Sequence, residues 1–212
     1  MKSLEALQII QRLSSSQWGL FTAAQAVARG VNRVNLMRLE QGGHIERVQS
    51  GIYRSSAAPT TRLDYIYAAW LSLDPKLLSY ERSKQPADDA VVFGATASYV
   101  LEIGELAPEP LTFSSPVRRQ PRNSNIKVIT RIISDTDIRI THGLPVAKPE
   151  RTIADLAAQR TDLSLMRNVC KDAWFKYPDL DKEHLIDLLK PYAKTYGFGV
   201  SNGKAFAECL VD

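Results

Sequence analysis

Cysteine and histidine are scarce in this chain, with two of one and three of the other among 212 residues. Cys170 and Cys209 cannot build a disulfide framework. Neither they nor His44, His142 and His184 fall at the close spacings of a metal site, so no metal and no cofactor is expected. Long apolar runs are also missing. Nothing approaches the roughly 20 apolar residues of a membrane span. The leading stretch MKSLEALQIIQRLSSSQWG interrupts its apolar residues with Glu5, Gln8, Gln11 and Arg12, unlike a secretory signal. Its Leu4, Leu7, Ile10 and Leu13 instead read as a helical stripe. A cytoplasmic protein with reduced thiols is expected. The segment TYGFGVSNGK lacks the spacing of a phosphate-binding loop and reads as a turn. No serine or cysteine has a recognisable nucleophile setting.

What is present is positive charge in one place. The formal net charge is +4 and the sequence pI about 9.1. Residues 1–60 hold seven Lys/Arg against three Asp/Glu, while the remainder holds twenty of each. The excess therefore belongs to the first sixty residues, which favours a polyanionic partner there.

Within that region, residues 20–54 read as helix, turn, helix and β-hairpin. Thr22 can cap an alanine-rich helix over residues 23–29, and Gly30 suits its end. Asn32 can cap a second helix over 33–41, with Leu36 and Leu39 facing inward and Gly42-Gly43 ending it. Alternation then runs through Ile45 and Arg47 to a turn at Gln49-Ser50-Gly51 and on to Ile52, Tyr53 and Arg54. This order predicts a winged helix-turn-helix, whose second helix can enter the major groove of DNA. The outward positions of that helix are Arg33, Val34, Asn35, Met37, Arg38 and Gln41. Arginine pairs with guanine, asparagine and glutamine pair with adenine, and valine can touch a thymine methyl. Arg47 and Arg54 on the hairpin would meet phosphate or the minor groove. A winged helix that binds only protein is the alternative.

The domain boundary is expected at 58/59, because Ser55-Ser56-Ala57-Ala58-Pro59 reads as a linker. Beyond it, residues 61–73 and 90–106 suit helices, and 111–114 and 126–133 suit strands. His142-Gly143 suits a turn, Pro149 suits the start of a helix, and the tail suits further helices divided at Tyr177-Pro178. The expected class is α+β, with a winged helix followed by helices and a small antiparallel sheet. From Pro110 to Ser134 no acidic residue occurs, while Arg118, Arg119, Arg122, Lys127 and Arg131 are basic. That stretch suits a second nucleic-acid surface or an acidic protein partner. It equally suits a solvated loop balanced by Glu102, Glu105 and Glu109. A nuclease would need clustered carboxylates, and the candidates are Asp135 with Asp137, and Asp179, Asp181 and Glu183 with Lys182. A polar strand end and a helix cap account for them more simply, so no enzyme is expected. Arg151 and Asp155, four apart, suit a surface ion pair.

Two stretches carry a resemblance to a known family. FTAAQAVARGVNRVNLMRLEQGGHIERVQSGIYR resembles the N-terminal domain of the AbiEi antitoxins of bacterial type IV toxin–antitoxin (abortive infection) systems. GLPVAKPERTIADLA resembles their second domain, and AVVFGATASYVLEIGEL stands where the family has the helix before its first C-terminal strands. The resemblance implies a repressor that binds inverted repeats in its own promoter and counteracts a co-encoded nucleotidyltransferase-like toxin, often without a stable complex, in phage defence. It implies DNA contacts at Asn32, Arg33, Asn35, Arg38, Arg47 and Arg54. A winged-helix regulator without antitoxin function, or a DNA-processing enzyme with a nuclease-like C-terminal domain, would share the same N-terminal half.

Overall fold

The computed structural model describes residues 3–82 and 84–211. The chain divides into two compact units, Met1–Gln85 and Pro86–Asp212.

In the first unit, α1 (Ser3–Ser15) buries Ala6, Ile10 and Leu13. Leu4, expected on the inner stripe, is 67% exposed, because the buried face follows positions 6, 10 and 13 instead. A three-residue strand, β1 (Leu20–Thr22), comes next, and α2 (Ala23–Ala28) follows it. A capping box starts α2. Thr22 Oγ1 accepts from the Gln25 N–H at 3.0 Å, and Gln25 Oε1 accepts from the Thr22 N–H at 2.9 Å. Gly30 turns the chain at φ +86°. Asn32 caps α3 (Arg33–Gln41) by accepting from the Asn35 N–H at 2.9 Å. β2 (Ile45–Gln49) and β3 (Ile52–Ser55) form the hairpin, with Gly51 at φ +76° in its tip. The sheet order is β1-β3-β2, antiparallel throughout, with a register shift between Arg47 and Gln49. Phe21, Val31, Leu36, Leu39 and Ile45 close one core with the buried face of α1. This is the expected winged helix, completed by a strand too short for sequence patterning to reveal.

The unit continues past the expected boundary at 58/59. Helix α4 (Asp64–Leu73) packs on all three strands, and Tyr67 stacks on Trp18 at 4.2 Å between ring centroids. Residues 75–79 then strap back over the start of α2 and lead into the short α5 (Ser79–Arg82). Thr22 Oγ1 donates to the Pro75 carbonyl, and Gln25 Nε2 donates to the Leu77 carbonyl at 2.7 Å. The Ser79 N–H donates to Gln17 Oε1 at 2.9 Å, and Gln17 and Gln25 bond to each other. These three polar side chains, Gln17, Thr22 and Gln25, are buried and complete their hydrogen bonding through the strap, which is why the compact unit reaches Gln85.

The second unit is built on a five-stranded sheet in the order β6-β5-β4-β8-β7. Its strands are β4 (Val91–Val92), β5 (Leu111–Ser115), β6 (Ile126–Thr130), β7 (Ile138–Thr141) and β8 (Leu144–Ala147). The α+β class holds, but the sheet is mixed rather than purely antiparallel. The β4–β8 and β5–β6 pairs are parallel, and β4–β5 and β7–β8 antiparallel. The β7–β8 hairpin turns at His142 (φ +52°) and Gly143 (φ +80°), the two left-handed residues such a turn requires. Helices α6 (Gly94–Leu101) and α7 (Pro149–Ala158) pack on each other, and Pro149 supplies the expected first turn of α7. α8 (Leu163–Lys176), α9 (Lys182–Leu189) and α10 (Gly203–Val211) complete the core with Val169, Leu185, Leu189 and Phe206.

Candidate nucleic-acid interface

The hydrophobic core fixes the orientation of α3. Asn35, Leu36 and Leu39 face inward, so Arg33, Val34, Met37, Arg38 and Gln41 are left outside. Val34 and Met37 are each about half exposed, which places an apolar strip between the two arginines. On β2, Arg47 projects from the hairpin opposite Tyr53 and is exposed. Arg33, Arg38 and Arg47 have no carboxylate within salt-bridge distance among the described residues. Their donors are left to solvent or a ligand, as phosphate and base contacts require.

Two of the expected contact residues are placed differently. Asn35 is only 5% exposed, because it occupies the third position of α3, where its N–H serves the cap and its side chain turns to the core side. Arg54 is held within the unit. Its Nε donates to Glu46 at 2.6 Å, and its Nη1 donates to Thr60 at 2.6 Å and Asp64 at 3.2 Å. The hairpin alternation puts Arg54 on the right strand, but Glu46 lies directly across from it and α4 brings up Asp64. Asn32 is exposed, with its carbonyl oxygen committed to the cap. Arg29, outside the predicted contact set, is also exposed at the C-cap of α2, just before the turn into α3. Its position in the turn was the available signal.

The basic stretch of the second unit separates into two groups. Arg119 reaches Asp89 at 3.3 Å and Ser115 at 3.2 Å. Arg131 reaches Asp155 at 2.8 Å and lies over the Phe93 ring. Arg118, Arg122 and Lys127 stay exposed. Glu102 is engaged elsewhere, with Lys176 at 3.1 Å.

Of the carboxylates a nuclease would need, Asp137 and Asp181 are used structurally. Asp135 and Asp137 lie in a short 3-10 turn (Asp135–Asp137), not on a strand, so they do not share a strand face. Asp137 is buried, with His184 Nε2 at 2.6 Å and Arg151 at 3.9 Å. Asp181 caps α9, accepting from the His184 N–H at 3.0 Å. The Arg151–Asp155 pair forms as spaced, at 2.8 Å, but Asp155 is fully buried and also holds Arg131. Burial opposes the charge on Arg151, yet its bond to Asp155 and the charges of Asp155 and Asp137 outweigh it and raise its pKa. The described residues contain no group of three or more metal-ligand side chains. Cys170 is buried, and burial pushes its thiol up to about 12, so it is inert as a nucleophile. No helix among the described residues is long and apolar enough to cross a membrane.

Residues 8–56 match the family model described as "Transcriptional regulator, AbiEi antitoxin". This segment runs from within α1 through the hairpin, so the winged helix is similar to the regulator domain of AbiEi antitoxins. Among solved structures, the chain is similar to the crystal structure of the RV2827C protein from Mycobacterium tuberculosis. The TM-score is 0.57 at 16% identity, over 95% of this chain and 80% of that one. At that identity the likeness is one of fold. No curated protein sequence matches the chain.

Proposed function

We propose that the winged helix binds double-stranded DNA sequence-specifically, with α3 in the major groove and the β2–β3 hairpin on the flanking backbone. The observation that carries this is the set of exposed, unpaired guanidinium groups at Arg33, Arg38 and Arg47, ranged around Val34, Met37 and Gln41. Through residues 1–85 the chain holds eleven Lys/Arg against six Asp/Glu, so the DNA-facing unit is cationic as a whole. The protein acts as a repressor of its own operon, bound at inverted repeats in the promoter. Its second role is antitoxin to a co-encoded nucleotidyltransferase-like toxin. The matched family description and the GLPVAKPERTIADLA segment support that role.

A gel shift on the DNA upstream of the protein's own reading frame tests the first part. Binding is expected to weaken steeply as salt rises and to exceed binding to unrelated DNA by about a thousandfold or more. Equal affinity for both DNAs would remove the operator reading. The antitoxin role is tested by expressing the neighbouring reading frame alone and with this protein. Toxicity relieved by co-expression supports it, and toxicity without rescue leaves the repressor alone.

A further inference from the structure

Strand β6 (Ile126–Thr130) is an edge of the second unit's sheet, paired on one side only, with β5. The register determines which of its backbone groups are used. The Leu111 N–H donates to the Asn125 carbonyl, and the Arg131 N–H donates to the Ser115 carbonyl. In a parallel ladder this assigns the odd-numbered residues of β6 to β5 and points the main chain of Val128 and Thr130 outward. Neither of those residues has a hydrogen-bonding partner beyond β5 among the described residues. The free edge is therefore a row of unpaired donors and acceptors.

The surroundings of this edge are cationic and aliphatic. Arg118 and Arg122, in the loop from β5 to β6, are exposed, and so is Lys127 on the strand itself. No acidic residue occurs between Pro110 and Ser134 to neutralise them, and the nearby Asp89 and Asp155 are already held by Arg119 and Arg131. Ile132 is 73% exposed and Val117 54% exposed. The one aromatic residue of the stretch, Phe113, is fully buried, so no ring is offered for stacking nucleic-acid bases. An open strand edge, aliphatic contacts and unbalanced positive charge together fit a β-strand bearing carboxylates.

We propose that β6 docks an extended acidic segment of a partner protein, which adds to the sheet as a sixth strand. Its main chain pairs with Val128 and Thr130, and its carboxylates meet Arg118, Arg122 and Lys127. This surface works independently of the winged helix and needs no DNA.

The test uses the full chain and a fluorescein-labelled peptide of alternating valine and glutamate, read by polarisation. Controls are the valine–lysine analogue, the valine–glutamate peptide N-methylated at alternate residues, and a single-stranded oligonucleotide as competitor. The acidic peptide should bind, and both peptide controls should not. The charge variant R118A/R122A/K127A, altered only at exposed positions, should weaken binding by about tenfold or more. Val128→Pro removes an outward donor while leaving the ladder to β5 intact, and should weaken binding by a similar factor of about ten. Thr130→Pro serves in its place if thermal melting shows that the first variant has not folded. Failure of the acidic peptide to bind would overturn the proposal. So would equal binding of the N-methylated peptide with Val128→Pro unaffected, which would mean plain charge attraction. Displacement by the oligonucleotide, with oligonucleotide binding lost in the charge variant but kept in Val128→Pro, would assign the surface to nucleic acid instead.

Discussion

In the N-terminal unit Arg33, Arg38 and Arg47 stand in solvent with no carboxylate at hand, whereas in the C-terminal unit Arg119, Arg131 and Arg151 turn inward to Asp89 and Asp155. Both units contain similar runs of basic residues in sequence. The difference arises from what the fold brings up beside each one. The outer face of α3 is exposed, so its cations are available to a ligand. The sheet and α7 of the second unit converge on buried carboxylates, so Arg119, Arg131 and Arg151 are structural there, while Arg118 and Arg122 stay exposed. A count of positive charge along a chain measures the supply of cations, and burial decides which of them are free.

The largest expected effect tests the outward set. The variant R33A/R38A/R47A should lose specific DNA binding by about 4 kcal/mol, roughly a thousandfold, in a gel shift at fixed salt. Its unfolding midpoint in urea should stay unchanged, because none of the three side chains holds the unit together. Wild-type affinity in this variant would erase the contrast between the units.

Next comes the inward set. Asp155→Ala leaves Arg131 and Arg151 without their shared partner and should lower the stability of the C-terminal unit by about 3 kcal/mol. Urea unfolding followed by circular dichroism measures this, with operator binding retained. A loss of DNA affinity without a loss of stability would move Asp155 out of the structural group.

Arg54 sharpens the boundary between the two sets, since it lies on the hairpin but pairs inward. Arg54→Ala should cost about 1 kcal/mol of stability, because its pairs with Glu46 and Asp64 are partly screened. The salt dependence of DNA binding should be unaltered, while Arg47→Ala should reduce that slope by about 1. The opposite pattern would make Arg54 the DNA ligand.

The smallest effect concerns the N-cap of α8. The Ser164 hydroxyl, followed by the Ser164 N–H, bonds to Asp162 and holds its carboxyl below the usual range. A depressed carboxyl stabilises the fold above its unfolded pKa of about 4, and that contribution disappears as pH falls through the lower folded value. The stability gap between the wild type and Asp162→Ala should therefore narrow on acidification from pH 7 to pH 2, as melting curves would record. A gap that widened would reverse the assignment.

Much of the N-terminal unit was legible in the sequence because its determinants are local. Thr22, Asn32, Gly30 and Gly51 mark caps and turns within a few residues of the bonds they make, and α3 has the bounds that its cap and Gly42 imply. What escaped depends on distant residues. Strands β1 and β4, three and two residues long, are too short to show a period, and form only because β3, β5 and β8 pair with them. Asn35 looked outward on a helical wheel, yet the core boundary passes on its far side. Arg54 looked free until Asp64, ten residues on, came alongside it. In the second unit, spacing revealed the Arg151–Asp155 pair but not its burial, because Arg131 reaches it from twenty-four residues earlier.

The strap of residues 75–79 sets how portable the winged helix is. Excision at residue 58, where composition suggests a linker, would leave the Gln17, Thr22 and Gln25 side chains without the carbonyls and N–H of Pro75, Leu77 and Ser79, and would uncover Trp18. The smallest piece that can be grafted onto another protein and still present α3 correctly is therefore the first 85 residues, with α4 and the strap travelling as part of the winged-helix unit.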